Sequence, residues 1–196
     1  MKIRIAYFVC ALLLPILVHA QIKTNAPAKN DLQIIDSYAA GVDRFIKVNP
    51  KRVFGDMASA DEAKSRWREF KTESAREKAQ TGDNLNQNAF VWTRKGTVVG
   101  ANFTFTSPSG DWAQYVMYYF REDGTLAKID STLNTFYGDL TVIRTQYFNT
   151  EGKLIKSNLK YYDLKTRKPK KPTGDFFDKP ITVYRTVAAL PFRRLL

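Results

Sequence analysis

Cysteine and histidine are the scarcest residues, one of each in a chain of 196. Cys10 and His19 both fall in the first twenty residues, which read as a secretory signal peptide (1–20). Lys2 and Arg4 form its basic start, Ile5 to Val18 is mostly apolar, and Val18-His19-Ala20 places small residues at the cleavage positions. Cys10 follows Val9 rather than a small residue, which argues against lipidation. Without these two residues the chain has no disulfide, thiol nucleophile, Ser-His-Asp triad or imidazole-ligated metal. No cofactor is expected. Apolar runs are scarce as well: the N-terminal one is short for a membrane span of roughly 20 residues, and no other approaches it. The expected location is secreted or periplasmic, in a bacterial envelope, with no transmembrane span after signal cleavage.

Acidic residues are outnumbered, 19 against 31 Lys plus Arg, for a formal charge of +12 that loss of the signal would lower by two. Hydrophobic residues at 44% and aromatics at 13% are enough for a packed core. One domain is expected over 31–196, after a polar lead-in at 21–30.

Two helices are predicted at the front. Asp31 caps the first, about 31–48, whose apolar positions Ile35, Tyr38, Val42, Phe45 and Ile46 form one stripe before Asn49-Pro50. Ser59-Ala60-Asp61-Glu62 has the form of a capping box opening a second helix, about 59–80, with a stripe of Ala63, Trp67, Phe70 and Ser74.

From Ala89 the period changes to 2 and a repeat begins. Val91 to Val98 aligns with Tyr119 to Leu126 and again with Tyr147 to Leu154, so that Gly96, Gly124 and Gly152 recur every 28 residues. Each copy has the grammar of a β-hairpin whose tight loop needs glycine at positive φ. Three hairpins in series predict an antiparallel meander over about 89–163. The expected fold is α+β: two N-terminal helices on one face of a six- to seven-stranded sheet built from three 28-residue hairpin repeats. A final strand is expected at about 181–187.

A three-residue loop at Glu122-Asp123-Gly124 would pair Tyr118 with Lys128 and Val116 with Asp130. Odd loops elsewhere would then keep one parity across the sheet. On that basis Val91, Val99, Phe103, Phe105, Tyr115, Met117, Tyr119, Ile129, Leu133, Ile143, Tyr147, Ile155, Leu159 and Tyr161 share an apolar face under the helices. The opposite face would be polar in its middle, with Asn102, Thr104, Gln114, Lys128, Asp130, Thr132, Asn134, Arg144, Gln146, Lys156, Asn158 and Lys160. Trp92, Trp112 and Phe120 would stand at its rim. The candidate binding face is drawn from these positions and Tyr118: Trp92, Asn102, Thr104, Trp112, Tyr118, Lys128, Asp130, Thr132, Asn134, Arg144, Lys156 and Asn158. It reads either as an ordinary solvated surface, with Asp130 paired to Arg144 or Lys128, or as a cup for a ligand. Asn102-Phe103-Thr104 is also a glycosylation sequon, meaningful only in a eukaryotic secretory pathway.

Residues 164–172 carry five basic side chains, Lys165, Arg167, Lys168, Lys170 and Lys171, and two prolines. An extended, exposed, anion-binding segment is expected there, or a plain solvated connector. Export and the lack of a reading motif disfavour nucleic acid as its partner. The leading expectation is an exported, non-catalytic binding protein that holds an anionic or amphiphilic envelope component through the polar face and the basic segment. The alternatives are a structural or protein–protein adaptor of the envelope and, third, a hydrolase using a carboxylate or lysine. For the hydrolase, Asp130 is the one carboxylate that stands out, and a glycosidase would need two.

Overall fold

The computed structural model describes residues 29–58, 64–79, 86–172 and 178–196. The signal, most of the lead-in and the Ser59–Glu62 box lie outside these. The elements run α1 (Lys29–Val48), β1 (Arg52–Asp56), β2 (Trp67–Phe70), α2 (Glu73–Ala79), β3 (Asn86–Arg94), β4 (Thr97–Thr106), β5 (Trp112–Phe120), β6 (Leu126–Thr135), β7 (Leu140–Phe148) and β8 (Leu154–Asp163). All eight strands form one antiparallel sheet in the order β2-β1-β3-β4-β5-β6-β7-β8. The architecture is α+β.

The first helix stands where its apolar spacing places it. Asp31 lies in its first turn and Lys47 in its last, each matching the helix dipole, and Asn49 returns a side-chain hydrogen bond to the Phe45 carbonyl at 2.9 Å. The second helix does not run over 59–80. Among the described residues of that span only Glu73–Ala79 is helical, and its cap is Thr72, whose Oγ1 accepts from the Ala75 amide at 3.1 Å. Trp67 and Phe70 belong instead to a strand pairing with β1, Asp56 opposite Trp67 and Val53 opposite Phe70. A four-residue strand shows too little alternation to be told from one helical turn. The sheet therefore has eight strands rather than six or seven.

The meander is present, and its glycines carry the conformation the hairpins require: φ is +81° at Gly96, +80° at Gly124 and +73° at Gly152. The Arg121 amide donates to the Thr125 carbonyl at 2.8 Å, closing the expected three-residue loop. Two residues beyond each loop, however, the ladder slips. Val99, Ala127 and Ile155, again 28 residues apart, are each the extra residue of a β-bulge. Tyr118 therefore pairs with Ile129 rather than Lys128, and Val116 with Ser131 rather than Asp130. The loop between β6 and β7 holds four residues, 136–139, not an odd number, so Ile143 shares a face with Asp130 after all.

These shifts regroup the faces. One face carries Phe54, Ala89, Val91, Ala101, Phe103, Val116, Tyr118 and Ile129, the main core. Its cover is not a helix but the C-terminal segment, which contributes Ile181, Tyr184, Val187, Leu190, Phe192 and Leu196. Phe192 stacks on Phe54 with ring centroids 4.5 Å apart. Residues 181–187 form no strand of the sheet; Thr186 makes a single bridge to Thr125, while the Tyr118 hydroxyl donates to the Thr182 carbonyl at 2.7 Å. The other face meets α1: Ala39 and Val42 cluster with Val99, Met117 and Tyr119, and Ile35 with Ala127 and Tyr147. Two of the three bulge residues are buried in those clusters, and Ile155 packs against the second. The helix thus lies over the bulged ends of the hairpins.

Candidate binding face and basic turn

At each bulge two consecutive residues point toward α1, and in the second hairpin these are Ala127 and Lys128. The Lys128 ammonium stands 3.0 Å from the Asp36 carboxylate on α1 and 3.0 Å from Asp130 two residues along its own strand. Tyr147 donates to Asp36 at 3.2 Å, Tyr119 donates to Asp43 at 3.0 Å, and Thr145 donates to the second oxygen of Asp130 at 2.8 Å. Burial alone would depress the Lys128 ammonium; the Asp130 and Asp36 carboxylates outweigh it and hold the group above the ordinary lysine value. Burial, reinforced by the Asp130 and Asp43 charges, pushes the Tyr119 hydroxyl well above the usual phenol range. Chemically this is a latch between helix and sheet. Both oxygens of Asp130 have partners, the Lys128 ammonium and the Thr145 hydroxyl. No group of three or more His, Cys, Asp or Glu able to hold a metal occurs among the described residues.

Past the latch, the helix-side face continues in two rows across five strands. Asn102, Met117, Asp130, Thr145 and Asn158 form one row; Thr104, Tyr115, Thr132, Ile143 and Lys160 form the next. Tyr115 is 43% exposed. Of the predicted binding-face residues, Asn102, Thr104, Lys128, Asp130, Thr132, Asn134, Lys156 and Asn158 share this face. Trp92, opposite Gly100, joins them but is buried. Trp112, Tyr118 and Arg144 do not belong to it: the bulge and the even loop turn them to the tail-side face. There Tyr118 is core, and Arg144 pairs with Asp178 at 2.8 Å rather than with Asp130. Gln114 and Gln146 move with them.

The basic segment is not an extended arm. Asp163 closes a turn by accepting from the Thr166 amide at 2.8 Å, the Thr166 hydroxyl at 3.0 Å and the Lys165 amide at 3.1 Å. These bonds, with Lys170 beside it, bring its carboxyl down to about 2. The chain then doubles back along β8, the Lys170 amide donating to the Tyr161 carbonyl at 3.0 Å. Two of the five predicted anion-binding residues have their cationic groups hydrogen-bonded to the sheet, though Arg167 itself stays exposed. Lys170 donates to the Gly138 carbonyl at 2.9 Å and the Asp139 carbonyl at 3.2 Å. Arg167, at φ +60°, donates to the Thr141 hydroxyl and, at 3.3 Å, to Asn134 Oδ1. Lys165, Lys168 and Lys171 remain exposed.

Arg167 thereby connects the two predicted sets. It lines a cavity of about 270 Å³ with Trp112, Asn134, Phe136 and Leu164 at the turn end of the sheet. Asp36 and Asp43 were not among the expected site residues. Their signal was present in the sequence: two carboxylates seven residues apart, beside the buried stripe of an amphipathic helix. Comparison with protein-family models, curated proteins and solved structures finds no match for the chain.

Proposed function

We propose that the protein is a non-catalytic binding protein of the bacterial envelope, exported there, and that it holds an anionic or amphiphilic component where the polar sheet face meets the basic turn. The observation that carries this reading is Arg167. Its guanidinium donates to two neutral oxygens at the edge of a cavity lined by Trp112, Phe136 and also Asp111, whose carboxylate accepts from the Ser109 hydroxyl; the guanidinium charge thus stands beside an aromatic surface. Exposed Lys165, Lys168 and Lys171 surround it and would draw anions to it. The rows of Thr and Asn on the adjoining face offer neutral hydrogen-bond partners for the rest of such a molecule.

Native mass spectrometry of the protein, purified gently from the envelope of a host expressing the full chain, tests this reading. A mass excess that vanishes on denaturation, and that an Arg167→Gln variant does not retain, is the expected result. A clean apo mass for the unaltered protein would remove the tight-binding form of the proposal.

One observation favours the adaptor reading as an alternative. β8 is an outer strand, and because the Tyr161 carbonyl points away from β7, so do the backbone groups of Leu159 and Ser157. Leu159 is 41% exposed beside them. A partner adding a strand there would give a stable complex in pull-downs from envelope extract. In the hydrolase reading Asp130 would have to act from within the latch, beside Lys128 and Thr145.

A further inference from the structure

The final residues do more than fill the core. Leu190 and Phe192 are buried against the tail-side face, and Trp67 of β2 packs edge-on to both Phe103 and Phe192, with centroids 5.7 and 5.1 Å away. Arg52 clamps the end of the segment. It makes a paired hydrogen bond to Glu69, 2.7 Å on each side, and donates also to the Leu195 and Leu196 carbonyls. Between this clamped segment and β2 lies a cavity of about 520 Å³ lined by Arg66, Trp67, Pro191, Arg193, Arg194 and Leu195, among others. Its size is within the range of small-molecule sites.

Among the described residues the lining contains three arginines and no acidic residue. Arg66 is occupied, donating to the Met57 carbonyl at 2.6 Å. Arg193 also borders a smaller neighbouring cavity that holds Glu122 and Asp123, but those carboxylates have partners of their own: Glu122 with Arg94 at 3.4 Å, and Asp123 with the Thr125 amide at 2.8 Å and hydroxyl at 2.7 Å. Trp67, Pro191 and Leu195 give the same lining an apolar part. We propose that this cavity binds a small organic anion, its phosphate or carboxylate head held by Arg193 and Arg194 and its apolar body against Trp67, Pro191 and Leu195. Guanidinium groups suit such a head because their fork matches two oxygens at once. The site lies apart from the Arg167 cavity, and the two proposals stand or fall separately.

Isothermal titration calorimetry on the full chain tests it with four probes: phenyl phosphate, benzoate, inorganic phosphate and benzyl alcohol. Phenyl phosphate or benzoate should bind at least about tenfold more tightly than either the head alone or the neutral body alone, since both parts of the lining are needed; the tighter of the two names the head group. Replacing Arg193 and Arg194 together, R193Q/R194Q, should weaken that binding at least about tenfold. The pair R44Q/K47Q, two exposed charges on α1, should leave it unchanged. Arg193 and Arg194 are exposed, so the variants should keep the melting temperature of the unaltered protein. No binding of either aromatic anion, equal binding of inorganic phosphate, or equal weakening by the α1 pair would overturn the proposal.

Discussion

Lys128 and Asp36 meet at 3.0 Å across the boundary between sheet and helix, and Asp130 meets the same ammonium at 3.0 Å from the opposite side. A lysine side chain only 13% exposed is tolerable because two carboxylates face it. Lys128→Met should leave those carboxylates facing one another without their cation. We expect a loss of about 1–3 kcal/mol, read by urea unfolding at neutral pH. A neutral substitution would mean that α1 is held by its apolar stripe alone.

The same latch sets a pH dependence. The folded-state value of Lys128 lies above its ordinary 10.5, and those of Tyr119 and Tyr147 lie above their ordinary 10.0. In all three the folded protein holds its proton more tightly than the unfolded chain. The stability linked to them is fully present below pH 10 and is lost as pH rises through the folded values. Unfolding free energy should fall progressively above about pH 10, and Lys128→Met should flatten part of that fall. A flat profile from pH 9 to 11 in the unaltered protein would contradict the geometry.

Hairpin glycines make a second, independent test. Nothing lies within 4 Å of a Cβ built on Gly96, so Gly96→Ala measures the cost of positive φ alone, about 1 kcal/mol. At Gly124 the added atom would also meet Val187 of the covering segment at 3.8 Å, an ordinary contact. Gly124→Val should therefore cost more than about 1 kcal/mol through strain at the turn rather than through a clash. Thermal unfolding of both variants reads this.

Removing the cover should be more damaging than straining a turn. Phe192 is 1% exposed and touches three aromatic rings. Phe192→Ala should cost about 3–5 kcal/mol and raise binding of an apolar dye to the uncovered face. Unfolding midpoints equal to those of the unaltered protein would show that the tail is not part of the core.

Lysines that look alike in the basic segment should behave differently. Lys168→Gln with Lys171→Gln should weaken binding to an anionic vesicle or polymer and reduce its salt slope by roughly one or two, with the melting temperature unchanged. Lys170→Gln should lower the melting temperature instead, because Lys170 ties the turn to Gly138 and Asp139. Identical behaviour of all three would return the segment to a plain solvated arm.

What could be read from the chain alone was whatever local chemistry dictates. Glycine at a 28-residue spacing specifies positive φ at Gly96, Gly124 and Gly152, and so a meander; Ile35, Val42 and their neighbours specify the buried stripe of α1. Neither depends on distant residues. The face each strand residue occupies was not legible, because a bulge of one residue reverses everything beyond it and Val99, Ala127 and Ile155 differ in no local way from ordinary strand positions. Trp112 and Tyr118 left the predicted binding face through the bulge at Ala127, and Arg144 through the four-residue loop at 136–139, while Asn102, Lys128 and Asn158 stayed. β1 and β2 were hidden by their shortness, their pairing being established across ten intervening residues. The role of the C-terminal segment was the least accessible of all: Phe192 is buried because Phe54, Trp67 and Phe103 are brought beneath it from three separate strands, and only the folded sheet assembles that surface.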